Sequence, residues 1–278
     1  MSFALKELNQ MYSSEEIKSL VYYLFEEYLS VNKTDYILNS NKTMSESDLL
    51  KFNFAIKDLK RGKPLQYILS YTYFCNEKFF VNEHTLIPRP ETEELVQHII
   101  NVEKDKKGLH ILDIGTGTAC IPISLAQQMP KHYYHALDFR EEIIQLAKKN
   151  ARFHNKIIQF QLMDILKNTT DKLGTFDIII SNPPYVLESE KQEMHINVLK
   201  YEPESALYVK DHQALLFYKK IAQVATKSLC KNGRLYFEIN ENQAKNIQNL
   251  LKKFGFTEIK IFQDIHGKDR FMSSVLSL

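Results

Sequence analysis

Asn182-Pro183-Pro184-Tyr185 is the stretch of this 278-residue chain whose residue types and spacing could do chemistry. An amide-type nitrogen is a poor nucleophile, because its lone pair is delocalised into the adjoining carbonyl. Two acceptors, one for each of its N–H bonds, would turn that lone pair toward an electrophilic carbon and favour a pyramidal, more cationic nitrogen. The Asn182 side-chain oxygen is one such acceptor, and the Pro183 carbonyl is the other. Pro183 and Pro184 fix the backbone that supplies the second. Tyr185 can lie over the flat group and stabilise positive charge as it develops, an effect of about 1 to 2 kcal/mol when desolvated. No base has to act before attack, since the proton becomes acidic only once the new bond exists. Asn-Pro-Pro also makes a turn, but a turn has no need of an aromatic directly after it.

A second constellation could hold a cofactor. Ile111-Leu112-Asp113-Ile114-Gly115-Thr116-Gly117-Thr118-Ala119 reads as a strand turning into a helix, which puts a ligand at the carboxyl edge of a sheet. Gly115 and Gly117 permit the tight turn and let backbone approach the ligand closely. A dinucleotide fingerprint would need glycine three residues after Gly117; Cys120 stands there, which disfavours a pyrophosphate. The next strand ends at Asp138, about 20 residues on, where a carboxylate can accept hydrogen bonds from both ribose hydroxyls. After the third strand come Asp164 and Ile165, a polar and an apolar side chain that could flank adenine; capping Lys167 and its neighbours is the other use for Asp164. A glycine turn with these two acidic strand ends describes a nucleoside site that lacks phosphate-binding equipment. S-adenosylmethionine fits that description better than NAD or ATP.

These segments need a scaffold that brings them to one edge. Apolar runs at His110 to Ile114, Tyr133 to Leu137, Ile157 to Leu162, Phe176 to Ser181 and Arg234 to Ile239 read as strands. They alternate with helical patterns near Ile121 to Met129, Arg140 to Phe153, Ala214 to Cys230 and Glu241 to Phe254. That alternation predicts an α/β domain, a parallel sheet with helices on both faces, and Phe256 to Phe262 and Phe271 to Leu276 add two last strands. Upstream, Ser13-x-x-Glu16 has the form of a capping box ahead of Ile17, Leu20, Val21, Leu24 and Tyr28, which predicts a helix over about 14–29. A second helix starts at Ser45 and stops at Gly62 and Pro64. Residues 1–64 are thus expected to form a small helical domain, 65–84 a β-hairpin linker, and 85–278 the α/β domain. In the hairpin, Thr72 to Cys75 and Lys78 to Val81 flank Asn76-Glu77. Pro88 and Pro90 hold an extended approach, and Pro90 can occupy the first turn of a helix to about Asn101.

Composition narrows the classes. With 36 basic and 34 acidic side chains the formal charge is +2, without the cation excess of proteins that displace counterions from nucleic acid, so no direct nucleic-acid binding is expected. Apolar runs such as Phe176 to Ile180 fall far short of the roughly 20 residues that cross a bilayer, and no signal-like stretch follows Met1. A cytoplasmic monomer with no membrane contact is the expectation. Cys75, Cys120 and Cys230 read as buried free thiols, and the nine histidines have no ligand spacing, so no metal is expected.

The chain resembles the release factor glutamine methyltransferases, which modify the glutamine of the Gly-Gly-Gln loop of peptide chain release factors. The resemblance runs through Gly62-Lys63-Pro64-Leu65-Gln66-Tyr67-Ile68, Ile87-Pro88-Arg89-Pro90-Glu91-Thr92-Glu93, the cofactor loop and the Asn-Pro-Pro-Tyr tetrapeptide. It continues in Tyr201-Glu202-Pro203 with Ala206-Leu207, and in Asp264-x-x-Gly267-x-x-Arg270. It implies a Rossmann-like, seven-stranded class I methyltransferase domain, a helical N-terminal domain that helps dock the release factor, and S-adenosylhomocysteine as second product. Carried over by position, cofactor contacts are Gly115, Thr116, Gly117, Thr118, Ala119, Asp138, Ile165 and Asn182, while Asn182, Pro183, Pro184 and Tyr185 hold the substrate glutamine. Ala119 stands where the family usually has a third glycine, and Ile165 where it often has an aromatic residue. An adenine-N6 or guanine-N2 methyltransferase is the alternative reading, since those exocyclic amines are also planar and conjugated; a non-catalytic adaptor on the same fold is the other.

Overall fold

The computed structural model describes residues 1–38, 43–167 and 173–277. The chain forms two compact units, one of residues 1–71 with 194–201 and one of residues 72–193 with 202–278. Among the described residues no helix is long and apolar enough to cross a membrane, and no group of three or more His, Cys, Asp or Glu stands ready to hold a metal ion.

The first unit contains α1 (Ser2–Leu8), α2 (Ser14–Leu29), α3 (Lys33–Leu38), α4 (Glu46–Lys60) and α5 (Leu65–Leu69). The capping box is formed: the Ser13 hydroxyl accepts from Glu16 N, and Glu16 Oε2 accepts from Ser13 N at 2.8 Å. Ser45 caps α4 with its hydroxyl, which accepts from Asp48 N at 3.1 Å. Each cap satisfies amides that a helix start leaves without partners, worth about 1 kcal/mol. Ile17, Val21 and Leu24 of α2 then meet Phe52, Ile56 and Leu59 of α4 on one buried seam, with Phe25 stacked on Phe52 at 5.3 Å. The short helices α1, α3 and α5 lie outside the two predicted; each is shorter than a helix that declares itself by periodicity alone. Residues 65–69, expected in the hairpin linker, are therefore helical.

The second unit opens with the hairpin β1 (Tyr71–Phe74) and β2 (Glu77–Phe80), then α6 (Pro90–Glu103), β3 (His110–Ile114), α7 (Cys120–Gln128), β4 (Tyr133–Asp138), α8 (Glu141–Phe153), β5 (Ile158–Leu162) and β6 (Phe176–Ser181). There follow β7 (Val186–Leu187), α9 (Ile196–Tyr201, part of the first unit), α10 (Glu204–Leu207), β8 (Tyr208–Val209), α11 (Leu216–Ser228), β9 (Leu229–Glu238), α12 (Ala244–Lys253), β10 (Phe256–Gln263) and β11 (Asp269–Leu276). The seven-stranded sheet has the order β10-β11-β9-β6-β3-β4-β5. It is parallel except for β11, which runs antiparallel to both β10 and β9. Alternate residues of its central strands feed opposite cores. Leu112, Ile114, Ile179 and Phe237 face α11 and α12, whereas Ile111, Ile178, Ile180 and Tyr236 face α6 and α7. Burial on both faces is why these strands read as unbroken apolar runs.

The hairpin turn sits one residue earlier than expected, on Cys75 and Asn76, both at positive φ (49° and 62°) as a two-residue hairpin turn requires. A one-residue slip exchanges the faces of a strand. The observed register puts Phe74 and Phe79, both fully buried, into the core beside Leu95 and Ile99. Cys120 is buried as expected, but Cys75, which occupies that turn, and Cys230, on β9, are half-buried.

Asn150, on α8 and fully buried, acts as a fastener that local sequence did not disclose. Its Oδ1 accepts from Phe80 N at 2.8 Å, and its Nδ2 donates to Phe80 O at 3.0 Å and to Thr118 O at 2.9 Å. Asn150→Leu would leave three backbone groups without partners in the interior. It is expected to cost about 3 kcal/mol in urea unfolding, at roughly 1 to 3 kcal/mol per unsatisfied buried group partly relieved by relaxation. A loss under about 1 kcal/mol would mean that water replaces the amide.

Candidate active site

The carboxyl ends of β3, β4 and β6 open onto a cavity of about 340 Å³. Its floor is fixed by backbone geometry. Gly115 N and Thr116 N both donate to Leu137 O at 3.0 Å, and Ser181 Oγ donates to Ile114 O at 2.7 Å, tying the ends of the three strands together. Gly115 and Gly117 have φ of +74° and +54°, and a Cβ on either would project into open space. Both line the cavity, so that space is where a ligand comes within reach of bare backbone.

Of the predicted cofactor contacts, Gly115, Thr116, Gly117, Thr118, Asp138, Asp164, Ile165 and Asn182 all line this cavity. Ala119 does not: it is fully buried behind the loop, in the left-handed conformation (φ 62°) at the start of α7. The glycine usual at that position suits this backbone, and alanine adopts it at a cost of about 1 to 2 kcal/mol. The methyl group therefore faces the core, away from any ligand. Asp138 Oδ2 accepts from Gly117 N at 2.9 Å and Oδ1 from Phe139 N at 2.8 Å, which leaves a lone pair on each oxygen for a ligand. Burial pushes its carboxyl above the usual range. Asp164 lines the cavity, and it also serves locally: Oδ1 accepts from Leu166 N and Oδ2 pairs with Lys167 at 3.1 Å.

Asn182, Pro183 and Pro184 form part of the same wall. The Asn182 Nδ2 donates to Thr92 Oγ1 at 3.2 Å, Thr92 Oγ1 donates to Glu238 Oε2 at 2.6 Å, and Tyr185 OH donates to Glu238 Oε1 at 2.9 Å. Thr92 and Glu238 are buried, at 3% and 1% exposure, and burial raises the Glu238 carboxyl above its ordinary range. Tyr185 is not brought onto the wall: its ring packs against the core and its hydroxyl is held by Glu238.

Several wall residues were not assigned roles from sequence. Phe139, directly after Asp138, is an exposed aromatic on the cavity rim, and Ser205, Ala206 and Tyr208 face the cavity from the segment after Pro203. Arg89 lines the cavity and pairs with Glu202 at 2.6 Å, while Glu202, almost wholly buried, also accepts from Ile87 N at 3.1 Å. That pair clamps the proline-rich approach of α6 onto Glu202. The motif was legible, but the partner 113 residues away was not.

The chemistry of the wall suits S-adenosylmethionine. Among the described residues it carries no lysine and a single arginine, already paired with Glu202, so a polyphosphate would meet no unpaired lysine or arginine there. The sulfonium and ammonium of the cofactor are instead cationic, and Asp138 and Asp164 are the acidic side chains on the wall. Asp113, beneath the glycine turn, is 1% exposed; neither oxygen makes a hydrogen bond of ordinary geometry, and burial pushes its carboxyl up to about 7.

Comparison with known proteins follows the division seen in the chain. Residues 105–269 match the family described as "Methyltransferase domain", and residues 2–69 match "PrmC N-terminal domain". A release factor glutamine methyltransferase of Flavobacterium psychrophilum is 44% identical, over 95% of this chain and 94% of that protein. One of Bacteroides thetaiotaomicron is 36% identical over 97% and 96%. Among solved structures, a methyltransferase from Pyrococcus furiosus matches with TM-score 0.51 and 17% identity, over 84% of this chain and all of that one. The hMettl16 catalytic domain in complex with MAT2A 3'UTR hairpin 6 matches with TM-score 0.55 and 17% identity, over 72% and 74%. At that identity the two structures speak for the fold alone.

Proposed function

Since this chain belongs to the release factor glutamine methyltransferase family, we propose that it transfers a methyl group from S-adenosylmethionine to the side-chain amide nitrogen (N5) of the glutamine in the Gly-Gly-Gln loop of peptide chain release factors. It is a methyltransferase with a seven-stranded, mostly parallel sheet. The observation that carries the reading is that Asn182-Pro183-Pro184 lines the same cavity as Gly115 to Thr118 and Asp138. The relatives' named activity favours glutamine over the exocyclic amine of adenine or guanine.

When bound, S-adenosylmethionine supplies a methyl carbon made electrophilic by positive sulfur. The backbone of Gly115 to Thr118, with Asp138 toward the ribose and Ile165 and Asp164 beside the adenine, would hold it; Ala119 shapes the turn from behind. The Asn182 Oδ1 and the Pro183 carbonyl accept one hydrogen bond each from the glutamine amide and so direct its lone pair. Prolines at 183 and 184 contribute no N–H to compete for those acceptors. Tyr185 holds the tetrapeptide in place through Glu238. The amide proton, acidic once the nitrogen is methylated, leaves to water. Residues 1–64 serve in this reading as the docking domain, and the enzyme works as a cytoplasmic monomer.

The test is incubation of the purified protein with S-adenosylmethionine and a purified release factor, followed by mass spectrometry of the Gly-Gly-Gln peptide, with DNA and RNA as parallel acceptors. One methyl group on the glutamine is the expected result. Methylated nucleic acid with an unmodified peptide would overturn it.

A further inference from the structure

We propose that Thr92 and Glu238 are positioning residues that decide which end of the Asn182 side-chain amide faces the substrate. An asparagine amide is nearly symmetric in shape, with oxygen and NH2 ends of similar size. Only the oxygen end can accept from a glutamine N–H, so a flipped Asn182 would present donors to donors. Its orientation therefore has to be fixed by chemistry rather than by packing.

The buried chain of hydrogen bonds does this by polarity. As a carboxylate, Glu238 accepts only, and it takes protons from Thr92 Oγ1 at 2.6 Å and from Tyr185 OH at 2.9 Å. A threonine hydroxyl has a single proton, and here it is committed to Glu238. What remains toward Asn182 is a lone pair, which can receive Nδ2 but repels Oδ1, and Nδ2 stands 3.2 Å away. With the nitrogen end pinned, Oδ1 is at the free end of a side chain that lines the cavity. The three residues come from the first turn of α6, the segment after β6 and the end of β9. The same carboxylate holds Tyr185, so one buried charge orients both ends of the tetrapeptide.

The inference rests on the glutamine reading above, and the experiment separates the two. Wild-type protein that leaves the glutamine unmodified overturns the function and this proposal with it, whereas a modified glutamine leaves the variants below to decide the proposal alone. Thr92→Val keeps shape and removes the hydroxyl. It is expected to lower kcat by about 10- to 100-fold, with KM and the calorimetric Kd for S-adenosylmethionine within about threefold of wild type. Thr92→Ser, which restores the hydroxyl, should return kcat to within about threefold. In an Asn182→Ala background, Thr92→Val should cost no more than a further twofold or so, since the residue it orients is gone. Should the valine variant melt early, Thr92→Ala serves in the same cycle. A kcat for Thr92→Val within about threefold of wild type, or equal losses with and without Asn182, would overturn the proposal; a purely structural Thr92 would give the second of these.

Discussion

Asn182→Ala is expected to lower kcat by about 10²- to 10³-fold, the scale on which removing one oriented acceptor or donor from a transition state acts. On the proposed function, the substitution removes a group that touches the reacting amide, and it leaves the surroundings intact because Thr92 keeps its bond to Glu238. The melting temperature should therefore move by no more than about 2 to 4 °C. The loss should fall on kcat rather than KM, since the interaction strengthens only as the nitrogen becomes cationic. Single-turnover kinetics with a saturating release factor is the measurement. Wild-type turnover in this variant would remove Asn182 from the mechanism.

Asp138→Ala should act on the other reactant. Its two oxygens hold the backbone at Gly117 and Phe139, and on the proposed function each keeps one lone pair for the ribose hydroxyls. Hydrogen bonds to a charged acceptor contribute about 1.5 to 3 kcal/mol, so the calorimetric Kd for S-adenosylmethionine should rise by roughly 10- to 100-fold while release-factor binding is spared. The pH dependence has a definite sign. Burial raises the Asp138 carboxyl, so on acidification it takes up a proton sooner than an exposed aspartate would, and a protonated carboxyl loses acceptor capacity. Wild-type affinity should fall on acidification at a higher pH than an exposed aspartate would give, and the Asp138→Ala protein should lack that component. An unchanged Kd would sink the ribose assignment.

The large elements were legible because their signals are local. Phe176 to Ser181 is a strand in the sequence reading and in the structure, and so is His110 to Ile114; both are buried on two faces, and continuous apolar character over five or six residues admits little else. The caps at Ser13 and Ser45 were equally readable, since a capping residue and its partner lie within one turn. The ends of the sheet were less so. β9 begins at Leu229 rather than Arg234, and β11 at Asp269 rather than Phe271, because pairing with neighbours extends a strand beyond its apolar centre.

The amino-acid order by itself determined the strand and helix pattern, the glycine turn, the acidic strand ends and the tetrapeptide, all of which depend on residues within a few positions of one another. Tertiary structure alone decided that Ala119 turns inward, that Tyr185 is held off the cavity wall, that Arg89 is clamped by Glu202, and that Asn182 is met by Thr92 backed by Glu238. Backbone preference and apolar periodicity are properties of short windows, whereas a buried polar group must find a partner wherever the fold brings one, here 90 and 146 positions away.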